Sequence, residues 1–182
     1  MRLFFAVELP SAARAALGRL RADDEGRDYR WVDPSLLHVT LAFLGEQPAE
    51  RLEVLTDVGA TAAGASKPGV LRLGTAGSFG AKRTPRVLWV DLSGDVESLL
   101  GLQKRLDEGL RQAGFALEDR SFRPHITLAR RREGAHGGAP PGWPPRLEAN
   151  ASFPLDTLTL MQSRLSPRGP TYTPLAEFKI GG

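Results

Sequence analysis

Apolar residues occur along this chain in two kinds of segment, which predict strands and helices respectively. Short runs rich in branched and aromatic residues predict strands at 2–9, 29–32, 36–45, 70–80, 86–92, 122–130, 151–163 and 171–180. Apolar residues at helical spacing predict helices at 11–22, 48–63 and 95–113. Residues 131–149 are dominated by Arg, Gly and Pro, a composition typical of an exposed loop.

The order of these segments nearly repeats itself. RLFFAVEL, a helix and HVTLAFLG in the first part of the chain are echoed by RVLWVDL, a helix and HITLAR in the second. The repeat predicts one domain over residues 1–182, built from two similar halves at about 1–85 and 86–182. Two such halves suggest two lobes related by an approximate two-fold axis. The lobes would share one sheet or face each other across a cleft.

Two of the three histidines of the chain open nearly the same pentapeptide, HVTLA at 38–42 and HITLA at 125–129. Successive side chains of a strand point to opposite faces, so each histidine shares a face with the threonine two positions later, about 7 Å away. Ala42 and Ala129 are expected to continue that face with small side chains. Phe43 is expected to point away from it, into the core.

An acid, a base and two hydroxyl donors that converge in a cleft suit a phosphodiester. In-line displacement at phosphorus needs a base on one side and an acid on the other, and histidine can perform either role near neutrality. Threonine hydroxyls can donate to the non-bridging oxygens, which gain charge in the transition state. We therefore interpret His38 and His125 as an acid–base pair, with Thr40 and Thr127 binding the phosphate. His136, in a Gly/Pro-rich loop, is interpreted as a surface residue.

Composition limits the other chemistry available. The absence of cysteine excludes disulfides, thiolate metal sites and cysteine nucleophiles. Two imidazoles alone make an incomplete zinc site, so we predict no metal and no cofactor. No apolar run approaches the roughly 20 residues that span a bilayer. The first ten residues are too short an apolar stretch for a signal peptide, and Glu8 interrupts them. We therefore expect a cytoplasmic monomer with no membrane partner.

The positive charge of the chain is carried mainly by arginine, which makes up 20 of the 24 basic residues. The planar guanidinium suits bidentate contact with phosphate. Codon bias in a GC-rich genome would produce the same excess. Composition therefore permits nucleic acid as a partner without requiring it.

RWVDPSLLHVTLAFLGE and FRPHITLAR resemble the paired signature of the two-histidine (2H) phosphoesterases. They resemble in particular the RNA 2′,3′-cyclic phosphodiesterases of the LigT/ThpR group, also studied as 2′–5′ RNA ligases. RLFFAVELP and SRLSPRGPTYTPLAEF extend the likeness over nearly the whole chain. The resemblance implies an α+β fold that is bilobal, with two pseudo-symmetric lobes of antiparallel sheet plus helices around a central cleft. It also implies metal-independent opening of a 2′,3′-cyclic phosphate to the 2′-phosphate, and ligation as the reverse reaction.

Carried over to this chain, the resemblance makes His38 and His125 the acid and base, and Thr40 and Thr127 the phosphate-binding hydroxyls. In our preferred assignment His125 activates water and His38 protonates the leaving ribose oxygen, although the near-symmetry of the motifs permits the reverse. Arg130 closes the second motif and is expected near the phosphate. Strict alternation would place it on the face opposite His125, so this expectation requires the strand to end or to bulge.

The rest of the substrate also needs partners. Aromatic side chains can stack on bases, and the candidates are Trp31, Phe79 and Tyr172. Arg131 is a candidate RNA contact beside Arg130. Further arginines that could steer RNA along the rim of the cleft are Arg123, Arg132, Arg164 and Arg168.

The expected partner is RNA with a 2′,3′-cyclic phosphate terminus, or a small cyclic nucleotide. The same chemistry could instead act on ADP-ribose cyclic phosphate or on 2′–5′ oligoadenylate. A third hypothesis is a non-catalytic RNA-binding module in which the histidines only contact phosphate. A fourth, a two-histidine metal site, predicts that a chelator abolishes function.

Overall fold

The computed structural model describes residues 1–21, 28–147, 151–167 and 169–182. The strands in this part of the chain are β1 (Arg2–Glu8), β2 (Tyr29–Trp31), β3 (His38–Glu46), β4 (Gly69–Ala81), β5 (Thr84–Gly94), β6 (His125–Arg131), β7 (Ser152–Leu155), β8 (Thr157–Ser166) and β9 (Gly169–Lys179). The helices are α1 (Ser11–Gly18), α2 (Leu52–Gly64) and α3 (Val96–Gln112). Short 3-10 turns at Pro34–Leu36 and Ala49–Arg51 precede β3 and α2.

Each predicted strand and helix is present, but several boundaries differ from the prediction. The helix predicted from Pro48 begins at Leu52, after the short 3-10 turn. The first helix ends at Gly18, and its predicted end, Ala22, lies outside the described residues. The strand predicted from 122 begins at His125. The strand predicted at 151–163 is two strands, because β7 pairs with β4 whereas β8 pairs with β1.

All nine strands belong to one sheet, in which every pairing is antiparallel. The order is β7-β4-β5-β6-β3-β1-β8-β9, with β2 added on β6. The strands β7 and β8 lie near opposite ends of this order, yet only Asp156 separates them in the chain. The sheet must therefore curl until its two ends approach each other. The fold is α+β, and its central strands are β3 and β6.

The strand order is symmetric about the β3/β6 junction. The strand before the first histidine strand, β1, flanks β3, and its counterpart β5 flanks β6. Of the two arrangements left open by the sequence, the structure has the one in which the strands share a sheet. The division of the domain into halves at residue 85 stays a prediction.

The helices cover one face of the sheet and enclose the main core. The amphipathic pattern of α3 buries a stripe of four leucines, Leu99, Leu102, Leu106 and Leu110, at helical spacing. These leucines pack in one cluster with Phe5, Val39 and Ile126 from the sheet. In the described ranges, no helix is long and apolar enough to cross a membrane.

The contact between α2 and the sheet depends on Gly59. A Cβ at this position would lie 2.7 Å from Cε2 of Phe178 and 2.9 Å from Cε1 of Phe5. Gly59→Ala is therefore expected to lower the free energy of unfolding by about 1–3 kcal/mol, although alanine is the better helix former. Denaturant unfolding measures the change.

Gly64→Ala, in the last turn of the same helix, is the matched control. The nearest atom to its Cβ would be the Gly182 carbonyl oxygen at 3.5 Å, an ordinary contact. This variant is expected to be neutral or more stable by up to about 1 kcal/mol. Equal effects at the two glycines would contradict the packing argument.

Candidate active site

The two His-x-Thr motifs lie side by side in the middle of the sheet. Strands β3 and β6 are joined at the pair Val39–Ile126. In the antiparallel register that this pair sets, His38 lies opposite Thr127 and Thr40 lies opposite His125. All four side chains are half-buried on one face of the sheet, while Val39 and Ile126 are fully buried on the other. The sheet thus brings together the two imidazoles and two hydroxyls that the sequence predicted would converge.

Both imidazoles are held by the same backbone hydrogen bond. Nδ1 of His38 donates to the Leu36 carbonyl oxygen at 2.7 Å, and Nδ1 of His125 donates to the Arg123 carbonyl oxygen at 2.7 Å. A carbonyl can only accept, so Nδ1 carries a proton in each ring. In the neutral tautomer the lone pair is then on Nε2. Each ring can accept or donate a proton at Nε2 without turning.

Aromatic rings enclose each histidine. The His38 ring lies 5.0 Å from the Phe4 ring and 5.3 Å from the Tyr172 ring, the latter edge to face. The His125 ring lies 5.1 Å from Phe79, also edge to face. These contacts restrict rotation of both imidazoles and exclude water from one side of each.

Burial and nearby positive charge act on both histidines in the same direction. Burial lowers the pKa of His38 from its ordinary value, and the charges of Arg14, Arg130 and His125 lower it further. Burial also lowers the pKa of His125, with Arg130 and Arg123 as the charged neighbours. Both rings therefore lose their protons more readily than a solvent-exposed imidazole.

Each motif contains a β-bulge at the leucine that follows the threonine. Against β1, Thr40 pairs with Ala6 and Ala42 with Phe5, so Leu41 is an extra residue. The β6 strand repeats this arrangement against β5, where Leu128 is the extra residue between the paired Thr127 and Ala129. A bulge of this kind shifts the alternation of side chains by one residue.

The bulges decide which residues line the cleft. Arg130, which alternation alone would turn away, lies on the cleft face with His125 and Thr127 and is exposed. Phe43, at the equivalent place in the first motif, also lies there and is 53% exposed. The prediction that Phe43 is a core residue is therefore wrong. The prediction that Ala129 continues the polar face is also wrong, since it is fully buried in a cluster with Tyr29 and Leu88. Ala42 is buried too, but it lines the cavity beside Thr40, as predicted.

A cavity of about 460 Å³ begins at this face and extends to α3. Thr40, His125, Thr127 and Arg130 lie at its sheet side. Its further lining is aromatic and polar and comes from β3, β4, α3 and the loop before β6. That lining includes Phe43, Phe79, Gln103, Asp107, Leu117, Phe122 and Arg123. His38 is not among the residues that line the cavity and lies beside it, under Phe4 and Tyr172.

Of the other three residues predicted to contact RNA, one lies in the site and two lie outside the cavity lining. Tyr172 packs against His38 and Phe4, so it belongs to the site, and burial raises the pKa of its phenol. Trp31 packs against Trp143 at 6.2 Å and does not line the cavity. Arg131 is also outside the cavity lining, because its Nη2 donates to the Ala135 carbonyl oxygen at 2.7 Å.

Among the candidate rim arginines, Arg123 lines the cavity, with its guanidinium 5.3 Å from the centre of the Phe79 ring. Arg132 and Arg164 are exposed and lie outside the cavity lining, and Arg168 lies outside the described residues. Phe43 and Phe122 line the cavity but were not predicted to do so. The repeat itself carried a signal for Phe43, because it follows His38 by the same interval at which Arg130 follows His125.

Comparison with known proteins agrees with this geometry. The 2′-5′ RNA ligase superfamily matches residues 9–166. The chain is 39% identical to a Thermus thermophilus protein named RNA 2′,3′-cyclic phosphodiesterase, covering 100% of this chain and 91% of that protein. It superposes on the crystal structure of TT0787 from Thermus thermophilus with a TM-score of 0.84 and 35% identity, over 100% of this chain and 99% of that one. For Escherichia coli LigT complexed with 3′-AMP the TM-score is 0.80 and the identity 32%, over 100% and 98% of the two chains. The chain belongs to the 2′-5′ RNA ligase superfamily.

Proposed function

We propose that this protein hydrolyses RNA ends that carry a 2′,3′-cyclic phosphate and leaves the phosphate on the 2′ oxygen of the terminal ribose. The single observation that carries the proposal is the matched pair of imidazoles, each with Nδ1 bonded to the carbonyl two residues earlier and Nε2 left for proton transfer. The cross-strand threonines supply hydroxyls beside both rings. The names of the relatives point to the same reaction.

The proposed step balances with water as the only co-reactant. His125 Nε2 removes a proton from water while the water oxygen forms a bond to phosphorus. The bond between phosphorus and the ribose 3′ oxygen breaks, and His38 Nε2 gives that oxygen its proton. Both non-bridging oxygens gain charge as this happens, and Thr40, Thr127 and Arg130 donate to them. The 5′ hydroxyl of a second RNA in place of water would give a 2′–5′ linkage by the same steps.

The physiological setting is part of the proposal. We propose that the protein acts as a monomer in the cytoplasm, on RNA ends or on small cyclic nucleotides. Cyclic phosphates arise when RNA is cleaved through attack by its own 2′ hydroxyl. A hydrolase of this kind therefore acts after such a cleavage.

The direct test is incubation with a short RNA that ends in a 2′,3′-cyclic phosphate, in the presence of EDTA. Separation of the 2′- and 3′-phosphate products should show only the 2′-phosphate. Formation of the 3′-phosphate would contradict the proposed bond cleavage. Binding that weakens with salt but gives no product would favour the RNA-binding module, and loss of activity only with EDTA would favour the metal site.

The pH dependence of kcat/KM should be a bell whose limbs come from the coupled pair of histidines. The base must be neutral and the acid protonated. The rate therefore falls as the pH drops below the lower pKa, and it falls again as the pH rises above the higher pKa. Because burial and Arg130 lower the pKa of both rings, both limbs should lie below those of two ordinary imidazoles. The maximum is expected on the acid side of about pH 6.5. A maximum well above that value in steady-state assays would contradict the assignment of these two groups.

A further inference from the structure

We infer that the α3 side of the cavity binds the base of the nucleotide that carries the cyclic phosphate, and that Asp107 makes it select against uracil. This inference rests on the proposed function, because it places the cyclic phosphate at the two His-x-Thr motifs. It assigns the remaining part of the cavity to the base, through contacts with Phe43, Phe122, Gln103 and Asp107.

The cavity has the size and direction that a nucleotide needs. Its volume of about 460 Å³ lies within the range of roughly 300–1,000 Å³ typical of small-ligand sites. At one side are His125, Thr127 and Arg130. Gln103 and Asp107 are shared with a second cavity, whose lining contains none of the motif residues, so they lie at the side away from the phosphate. A ligand held by phosphate at the motifs therefore extends its other end toward α3.

Aromatic and aliphatic side chains form the walls between these two sides. Phe43 is 53% exposed, lines the cavity and touches Phe4 with ring centres 5.9 Å apart, so its ring is accessible to a ligand. Leu117 and Phe122 are half-buried in the loop before β6 and add apolar surface. A base can stack on an aromatic ring whatever its identity, so these walls would bind all four bases.

Polar groups at the far side can distinguish the bases. Gln103 and Asp107 are one turn apart on α3, half-buried, and on the same side of the helix. Asp107 accepts a hydrogen bond on Oδ2 from Nε of Arg111 at 2.8 Å. An ionised carboxylate has about four acceptor positions, so this bond leaves it able to accept from a ligand.

A carboxylate favours bases that offer an amino group. Adenine, guanine and cytosine each carry an exocyclic amine that can donate to Asp107, and Gln103 can either donate or accept beside it. Uracil has no amine, and its one N–H lies between two carbonyl oxygens that the carboxylate repels. Cytosine and uracil have the same size, so comparing them isolates this chemistry from stacking and fit.

The experiment compares kcat/KM for the 2′,3′-cyclic phosphates of cytidine, uridine, adenosine and guanosine. The native protein should favour cytidine over uridine by about tenfold or more. Asp107→Asn, which adds a donor and removes the charge, should bring that ratio close to one. Arg111→Met is the matched control, since it breaks the same ion pair but keeps the carboxylate, and it should preserve the preference.

The outcomes separate this inference from the proposed function. Equal turnover of all four substrates by the native protein would overturn the inference and leave the proposed function standing. A preference that Asp107→Asn and Arg111→Met abolish equally would also overturn it, because the ion pair would then be responsible. If the protein opened none of the four cyclic nucleotides and no RNA end that carries a 2′,3′-cyclic phosphate, the proposed function itself would be refuted.

Discussion

Replacing His125 with alanine should lower kcat for opening a 2′,3′-cyclic phosphate by about 10²–10⁴-fold, the usual contribution of a positioned acid or base. His38→Ala should have an effect of the same order. In each ring the bond from Nδ1 to a backbone carbonyl fixes the tautomer that exposes Nε2. No neighbouring group of the described site reproduces an imidazole at that place, so the loss should appear in kcat and not only in KM.

His136→Ala is the control for these variants, because it removes the third histidine of the chain from an exposed loop. Its kcat should equal that of the native protein. Circular dichroism and thermal unfolding should show that His38→Ala and His125→Ala remain folded, since both side chains are only half-buried. Near-native activity in either catalytic variant would rule out the paired-histidine mechanism.

A substrate with sulfur in place of the 3′ bridging oxygen separates the acid from the base. A thiolate leaves without protonation, so this substrate needs no general acid. If His38 is the acid, His38→Ala should recover much of its rate on the sulfur substrate, while His125→Ala should stay slow. The opposite pattern would exchange the two roles and leave the rest of the mechanism unchanged.

The pattern of apolar residues was sufficient to predict the elements and the convergence of the motifs. The leucine stripe of α3 buries the face that its helical spacing indicates, and the continuous apolar run of β1 is buried on both faces. His38 and Thr40 share a face because the strand is regular between them. The same is true of His125 and Thr127, and the repeat then predicted that the two pairs would meet.

The expected alternation of side chains between the two faces of a strand breaks one residue after each threonine, where β3 and β6 bulge. A bulge depends on how two strands fit side by side, and the sequence of one strand does not display that fit. The consequence was a wrong environment for Phe43 and for Ala129. Tyr172 comes close to His38 through the order of the strands in the sheet, and Gln103 lines the far side of the cavity through the packing of α3. Such long-range contacts have no local signal, so only the three-dimensional structure identifies them.

The bulge at Leu128 leads to a second prediction of large effect. Because it turns Arg130 onto the cleft face, the guanidinium lies where it can stabilise charge on the phosphate oxygens, and it lowers the pKa of both histidines. Arg130→Met is expected to lower kcat/KM by about 10²–10³-fold, the scale of losing one group that stabilises the transition state. Removing the positive charge should also raise both histidine pKa values, so the bell-shaped pH profile should move to higher pH.

Arg131→Met is the matched control, since it changes the next residue of the same strand. Arg131 donates to the Ala135 carbonyl oxygen outside the cavity lining, so its loss should affect stability more than kcat/KM and should leave the pH profile in place. Arg130→Lys keeps the charge but lacks the planar fork, so it should restore the native pH profile while recovering only part of the rate. Equal kinetic losses in Arg130→Met and Arg131→Met would mean that general positive charge, and not the side chain that the bulge positions, promotes the reaction.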